Sequence, residues 1–255
     1  KTLMQSFLER VAECGPQIAL REKNFGIWQT VTWNQYRSHV QHFALGLVQL
    51  GFKRGDHLSI ISENCCEWLY AALGCISIGG VPLGVYPTSP HPEVHYVVKH
   101  SDSVIVVCED QEQTDKVLKV LLDLPELKKI IVKDMKGLRN YSKDNIISFQ
   151  AVEAMGRELA QEQPDLFEHE VQKGRAEDVC MMIYTSGTTG LPKGAMVNHR
   201  NIEATTLATS EALEADETDS VVSYLPLCHV AEQIFSLYLP IHLGITVNFA
   251  ESVAT

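Results

Sequence analysis

What the chain lacks narrows its class before any motif is read. No run of eighteen apolar residues occurs in its 255 positions, so no membrane-spanning helix is predicted. The opening, Lys1-Thr2-Leu3-Met4, does not have the pattern of a signal peptide, and the missing initiator methionine predicts residues trimmed or left out at the front. Basic residues are scarce: 21 Lys and Arg stand against 32 Asp and Glu, a net charge of -11. No arginine-rich strip counters that acidity, which disfavours nucleic acid as a partner and leaves room only for a local cationic site. The seven cysteines, at 14, 65, 66, 75, 108, 180 and 228, are odd in number, with no Cys-x-x-Cys pair and no His/Cys spacing suited to zinc. Their apolar surroundings predict buried free thiols in a reducing compartment, hence a cytoplasmic protein. His91, His95, His100 and His199 complete no metal constellation. Internal repeats, low-complexity segments and a sharp linker are missing too, and the charged stretch 161–178, expected to be exposed, is the best candidate for a subdomain seam.

What is present is an ordinary globular composition, 45% hydrophobic, with a repeated rhythm of helix, glycine-containing turn and apolar strand. Helical spacing covers 3–14, and short strands at 18–21 and 30–33 flank the turn-prone Asn24-Phe25-Gly26. Thr32 and Gln35 fit a capping box that opens a helix ending at Gly51. Strands are predicted at 58–62, 81–85, 104–108, 129–132, 179–184, 221–225 and 244–249. Helices fall at 68–78, 93–99, 111–122, 149–160, 202–213 and 230–243, and 134–147 reads as loop. Several strand–helix–strand units in succession imply an α/β fold of layered, mostly parallel sheets covered by helices. Trp68, Tyr70 and Tyr96 read as core or helix-face aromatics, Tyr184 as strand packing, and Glu63 with Glu67 as a solvated pair. The last five residues, 251–255, follow a strand directly, which predicts further chain beyond them.

The stretch with chemistry in it is 182–197, where a Thr/Ser/Gly segment lies between two apolar runs read as short buried strands. Glycines at 187, 190 and 194 permit tight turns and close approach of backbone to a bound group. Successive N–H groups, with the hydroxyls of Thr185, Ser186, Thr188 and Thr189, can surround an anion, and Lys193 adds a mobile positive charge. This is not the common phosphate loop, because Gly194 stands where that pattern has its magnesium-binding Ser or Thr. A flexible linker has a similar composition; Pro192 and Lys193, set between the apolar runs, favour a shaped loop. These residues suggest phosphate without identifying a nucleotide. Further on, His229 follows Pro226-Leu227-Cys228, where it can satisfy a helix start or line a pocket. Glu232, about one turn later, can bind His229, line the same pocket or lie at the surface.

Residues 184–194, Tyr-Thr-Ser-Gly-Thr-Thr-Gly-Leu-Pro-Lys-Gly, closely resemble the signature of the adenylate-forming (AMP-binding) enzymes. That family includes acyl-CoA synthetases, peptide-synthetase adenylation domains and firefly luciferase. The pattern continues through 195–202, residues 72–87 look like the family's helix and strand before its Pro-x-x-Pro turn, and 225–229 resemble a third block. All 255 residues align in order with the first part of the family's large N-terminal domain. Within the family, His229-x-x-Glu232 and Gly84-Val-Tyr-Pro-Thr-Ser89 look most like long-chain fatty acyl-CoA synthetases, including the bubblegum branch. Gln233 departs from the arginine often found there. The resemblance implies ATP-dependent activation of a fatty acid to acyl-adenylate, then thioester formation with coenzyme A. It matches Thr185 to the hydroxyl near magnesium. Ser186, Gly187, Thr188, Thr189 and Gly190 match the loop around the β and γ phosphates, Lys193 its charged end, and His229 the acyl pocket wall. The family's later motifs for magnesium and ribose, its hinge and its small C-terminal domain do not occur in these residues. An incomplete N-terminal domain, inactive alone, is therefore expected, with peripheral membrane contact expected of the family and oligomeric state open. The alternatives are a non-catalytic nucleotide-binding domain and an adenylating enzyme for a different carboxylic acid.

Overall fold

The first elements form where capping side chains and turn residues permit. In the computed structural model, which describes residues 1–185 and 190–251, α1 (Leu3–Cys14) opens on a capping box between Thr2 and Gln5. The hairpin of β1 (Ile18–Asn24) and β2 (Ile27–Thr32) turns through Phe25 and Gly26, at φ 49° and 76°. α2 (Trp33–Gln49) begins at the predicted box: Thr32 N–H donates to Gln35 Oε1 at 2.8 Å and Gln35 N–H to Thr32 Oγ1 at 3.2 Å. Two of the four orphan N–H groups of the helix start are thereby satisfied.

Strands and helices then alternate: β3 (His57–Ile61), α3 (Cys66–Ser77), β4 (Val81–Val85), α4 (His91–His100), β5 (Ser103–Cys108), α5 (Gln111–Leu118), β6 (Lys129–Val132), β7 (Ile146–Ser148) and α6 (Phe149–Glu162). After these come α7 (Leu166–Gln172), β8 (Val179–Thr185), β9 (Lys193–Asn198), α8 (His199–Leu213), β10 (Ser220–Ser223), α9 (Val230–Gln233), α10 (Leu239–Leu243) and β11 (Thr246–Phe249). Seven strands form one sheet in the order β7-β6-β5-β3-β4-β8-β9, parallel except for the β8–β9 pair. Four form a second, β10-β11-β1-β2, parallel except for the β1–β2 hairpin.

Alternation along the strands divides the larger sheet's apolar side chains between two cores. Leu58, Ile60, Ile105 and Val107 join the cluster containing α1, α2, α3 and α6, while Ile61, Val106 and Cys108 join that of α4 and α5. Both faces are covered, as a parallel sheet requires. α2 and α6 meet backbone to backbone: a methyl added at Gly156 would lie 1.7 Å from the His42 carbonyl oxygen, and one at Gly46 2.2 Å from that of Val152.

Four expectations need correction. The run at 195–197 is apolar but not buried: β9 pairs only with β8, and Met196 on this edge is 69% exposed. The stretch 161–178 contains α7, whose Phe167 and Val171, four residues apart, are buried in the main core. Inside the predicted loop, β7 pairs in parallel with β6. The predicted helix 230–243 is interrupted by a π-helical segment, Ile234–Tyr238, just before Pro240, which has no N–H to continue the regular ladder.

Candidate functional site

β4 and β8 are neighbours, and the chain leaves their C-terminal ends in opposite directions, toward β5 on one side and β9 on the other. Strand ends that diverge in this way leave a crevice. A cleft of about 340 Å³ opens here, and three separate stretches of sequence line it: Gly84, Tyr86 and Ser89; Tyr184, Thr185 and Pro192; and Cys228 with His229.

Thr185 ends β8, and its Cα partner across the hairpin is Lys193, the first residue of β9. Both are exposed, and Lys193 makes no ion pair among the described residues. Gly190 lies between them at φ 108°, a conformation that disfavours any side chain. Ser186, Gly187, Thr188 and Thr189 lie outside the described residues. α4 ties down both limbs of the hairpin. The Tyr96 hydroxyl donates to the Pro192 carbonyl at 2.9 Å, and the Tyr184 hydroxyl shares a 2.7 Å hydrogen bond with His100 Nδ1. Burial, reinforced by Tyr96 and the Asp102 carboxylate, pushes the Tyr184 phenol up to about 12, so it keeps its proton at neutral pH. Tyr184 and Tyr96 thus act as polar anchors as well as packing groups.

The third stretch is held from several sides. His229 N–H donates to the Pro226 carbonyl at 2.8 Å, closing a turn, and His229 Nδ1 accepts from Ala231 N–H at 3.2 Å, capping α9. His229 therefore both caps a helix and lines the cleft. Glu232 does not reach His229, the cleft or the surface. It is buried and accepts hydrogen bonds from Ser223 Oγ (2.7 Å), Tyr224 N–H (3.2 Å), Leu225 N–H (2.9 Å) and Ser236 Oγ (2.5 Å). Those four donors balance a carboxylate placed away from solvent. Gln233, also fully buried, donates to the Leu227 carbonyl at 2.9 Å and accepts from the Tyr238 hydroxyl at 2.7 Å.

Sequence reasoning missed Asn64, just beyond β3, which donates to the Leu225 carbonyl at 2.6 Å and accepts from Leu227 N–H at 2.8 Å. A polar residue at the C-terminal end of a parallel strand was the available signal. It also missed the role of Gly84, where a Cβ would lie 2.6 Å from both Cα and Cβ of Cys228. The Cys228 thiol, pushed up to about 12 by burial, lines the cleft in its protonated form. Glu67 is not part of a solvated pair, since it meets Lys133 Nζ at 3.2 Å.

For a divalent cation, the described residues offer the Thr185 hydroxyl and the Glu93 carboxylate on the cleft wall. No group of three His, Cys, Asp or Glu side chains able to hold a metal occurs among them. That sparse set fits magnesium carried in on phosphates, an ion that uses few protein ligands.

Comparison with known proteins bears on the family and the fold. The family profile described as AMP-binding enzyme matches residues 7–255. The chain is 34% identical to long-chain-fatty-acid–CoA ligase ACSBG2 of Rattus norvegicus, over 98% of this chain and 38% of that protein. It is 31% identical to the ACSBG1 ligase of the same species, over 98% of this chain and 34% of the relative. The chain thus spans little more than a third of the length of these relatives. Among solved structures, the anthranilate CoA ligase AuaEII in complex with anthranoyl-AMP superposes with TM-score 0.84 at 20% identity, over 97% of this chain and 44% of that one. A long-chain-fatty-acid-CoA ligase (FadD1) of Archaeoglobus fulgidus gives 0.79 at 18% identity, over 97% and 46%. At such identities the structural matches speak for the fold.

Proposed function

Because the chain belongs to the AMP-binding enzyme family, we propose that its cleft takes the phosphates of ATP and the carboxylate of a long-chain fatty acid, and that the complete protein joins that acid to coenzyme A. A carboxylate oxygen attacks the α phosphorus, the bond to the bridging oxygen breaks, and pyrophosphate leaves. The coenzyme A thiol then attacks the acyl carbonyl, loses its proton and expels AMP. The observation that carries this reading is the convergence of Gly84, Tyr86 and Ser89, of Tyr184, Thr185 and Pro192, and of Cys228 and His229 on one crevice at diverging strand ends.

Each residue has a stated task. The Thr185 hydroxyl and the backbone at Gly190 supply neutral donors to the phosphates, as Ser186, Gly187, Thr188 and Thr189 do by their place in the motif. Lys193 neutralises charge on the departing pyrophosphate. His229 orients the carboxylate, which is already ionised at neutral pH and needs no general base. Tyr96 and His100 hold the two limbs of the hairpin in place, and Glu232 with Asn64 fixes the turn that presents His229. Magnesium, held by Thr185 and the nucleotide's own phosphates, would offset their negative charge. The free thiols support a reducing, cytoplasmic setting.

In this reading the activity is that of the complete protein, and residues 1–255 alone are expected to release little or no pyrophosphate. The test is ATP-dependent adenylate formation by the complete protein and its Lys193→Ala variant. A loss of roughly 100-fold or more is expected for removing a charge that acts on the leaving group. Equal rates would defeat the phosphate role of the hairpin.

A further inference from the structure

The turn that presents His229 is fixed from a distance as well as by its immediate neighbours. Asn64 spends three of the four hydrogen-bonding positions of its amide on the strand end and turn at 223–227. Its Nδ2 donates to Ser223 Oγ at 2.8 Å and to the Leu225 carbonyl at 2.6 Å, and its Oδ1 accepts from Leu227 N–H at 2.8 Å. Ser223 in turn donates to Glu232 at 2.7 Å. A segment gripped at three points has little freedom to move apart from Asn64, so the loop that carries Asn64 determines where the turn lies.

That loop, 62–65, joins β3 to α3, and side chains from other elements take its backbone N–H groups. Glu63 N–H donates to Glu109 Oε2 at 2.9 Å, from one residue beyond β5. Cys66 N–H, at the start of α3, donates to Glu22 Oε2 of β1 at 2.9 Å. Lys133 Nζ, one residue beyond β6, lies 3.2 Å from Glu67 and 3.7 Å from Glu22 and balances their charge. Of these supports Glu109 has the stiffest base. Its N–H donates to the Ile61 carbonyl at 3.0 Å and its carbonyl accepts from Asp134 N–H at 2.8 Å, which stitches it between the ends of β3 and β6. A carboxylate accepting a backbone N–H makes a charge-assisted bond, stronger than a neutral one. Glu109 itself lies outside the cleft wall.

We propose that Glu109 is a positioning residue for the adenylation step: its carboxylate fixes Glu63 and Asn64, and through Asn64 the turn and the imidazole of His229. Its kinetic consequence rests on the acyl-adenylate reading; its geometric consequence, at His229, does not. In that reading the hairpin holds the nucleotide. A displaced His229 therefore slows attack by the carboxylate and leaves ATP binding alone.

The test compares three substitutions in the complete protein. Glu109→Met removes the acceptor at similar length, Glu109→Gln keeps an acceptor oxygen at the same reach, and Glu109→Asp withdraws it by one methylene. Adenylate formation is measured beside the imidazole NMR signals of isotope-labelled histidine, with the His229 signal assigned by its loss in His229→Gln. For Glu109→Met, kcat per folded molecule is expected to fall about ten-fold, with KM for ATP within about two-fold of the parent and a shifted His229 signal. Glu109→Gln is expected to keep the parent's rate and signal, and Glu109→Asp to fall between. Parental kcat or an unmoved His229 signal in Glu109→Met overturns the proposal, and so does a Gln variant as impaired as the Met variant. Should Glu109→Met fail to fold, Glu109→Asp against Glu109→Gln decides, and equality of the two overturns it. A parent that forms no adenylate defeats the acyl-adenylate reading by itself. The His229 signal then decides for Glu109: a shift in the Met variant but not the Gln variant supports its positioning role, and no shift overturns it.

Discussion

Replacing Gly84 by alanine tests the geometry of the cleft through a single methyl. The new Cβ would stand 2.6 Å from Cys228 Cα and Cβ and 3.3 Å from Cys228 N. Carbon atoms settle at about 3.5–4.0 Å, so one side must retreat by about 1 Å. β4 cannot easily do so, being bonded to β3 on one side and β8 on the other. The turn at 226–229 must move, yet Asn64 and Gln233 hold it at Leu227 with hydrogen bonds of 2.8 and 2.9 Å. Overpacking of this kind costs about 1–3 kcal/mol. At a urea slope of about 2–3 kcal/mol per molar, that lowers the denaturation midpoint by about 0.3–1.5 M. The same displacement moves His229 along the cleft wall, and a 1 Å misplacement costs on the order of 100-fold in rate. Urea denaturation followed by circular dichroism is run beside adenylate formation in the complete protein. Gly174→Ala serves as control, since its Cβ would come no closer than 3.3 Å, to the Thr2 methyl. If Gly84→Ala matches the parent in both midpoint and rate, the three stretches do not meet as described.

Two further predictions concern buried polar groups. Glu232→Gln should cost about 1–2 kcal/mol despite its similar shape, because an amide cannot accept from both Tyr224 and Leu225 N–H groups and from two serine hydroxyls at once; Glu232→Ala should cost more. A neutral Gln variant in urea denaturation would refute the acceptor account. His199 is buried, its Nδ1 accepts Leu3 N–H at 3.1 Å, and burial lowers its pKa to about 4, against the opposing pull of Asp178. The unfolded chain takes up this proton near pH 6.5 and the folded chain only near 4, so stability is complete above pH 6.5 and is lost as pH falls toward 4, by roughly 2–3 kcal/mol. His199→Asn keeps an acceptor that does not titrate, and midpoints measured from pH 7 to 4.5 should fall less steeply than the parent's by that amount. Parallel profiles would show that His199 does not govern the slope.

Much of the fold could be read from the chain because local signals agreed with it. The Thr32–Gln35 box, the strand at 81–85 and the strand at 129–132 form as their residues require. Where reading failed, identical composition served two environments: 195–197 is as apolar as a core strand yet lies at an edge, and Phe167 sits among charged residues yet is wholly buried. β7 has three residues and one partner strand, too little to imprint a pattern. Pro240 signalled the break in the last helix, but not its π form. In the site, resemblance drew attention to Thr185, Lys193 and His229, while only the folded chain brings Thr185 and His229 together with Gly84. No spacing rule joins residues a hundred positions apart. The task of Glu232 is set by donors close in sequence, at 223–225 and 236, which the path of the turn rather than a spacing rule brings to its carboxylate.

The backbone contact between α2 and α6 bears on how the chain comes into being. Gly46 and Gly156 are separated by roughly 110 residues, and at 5–20 residues per second α2 leaves the ribosome roughly 5–20 s before its partner. Through that interval the face of α2 that carries Gly46 lacks its partner, because β3 to β7 must be laid down between the two helices, while α1 and α3 already pack on its other apolar side chains. Nascent chains stalled before residue 149 should therefore rely most heavily on chaperones, and those stalled well after 162 should need them least.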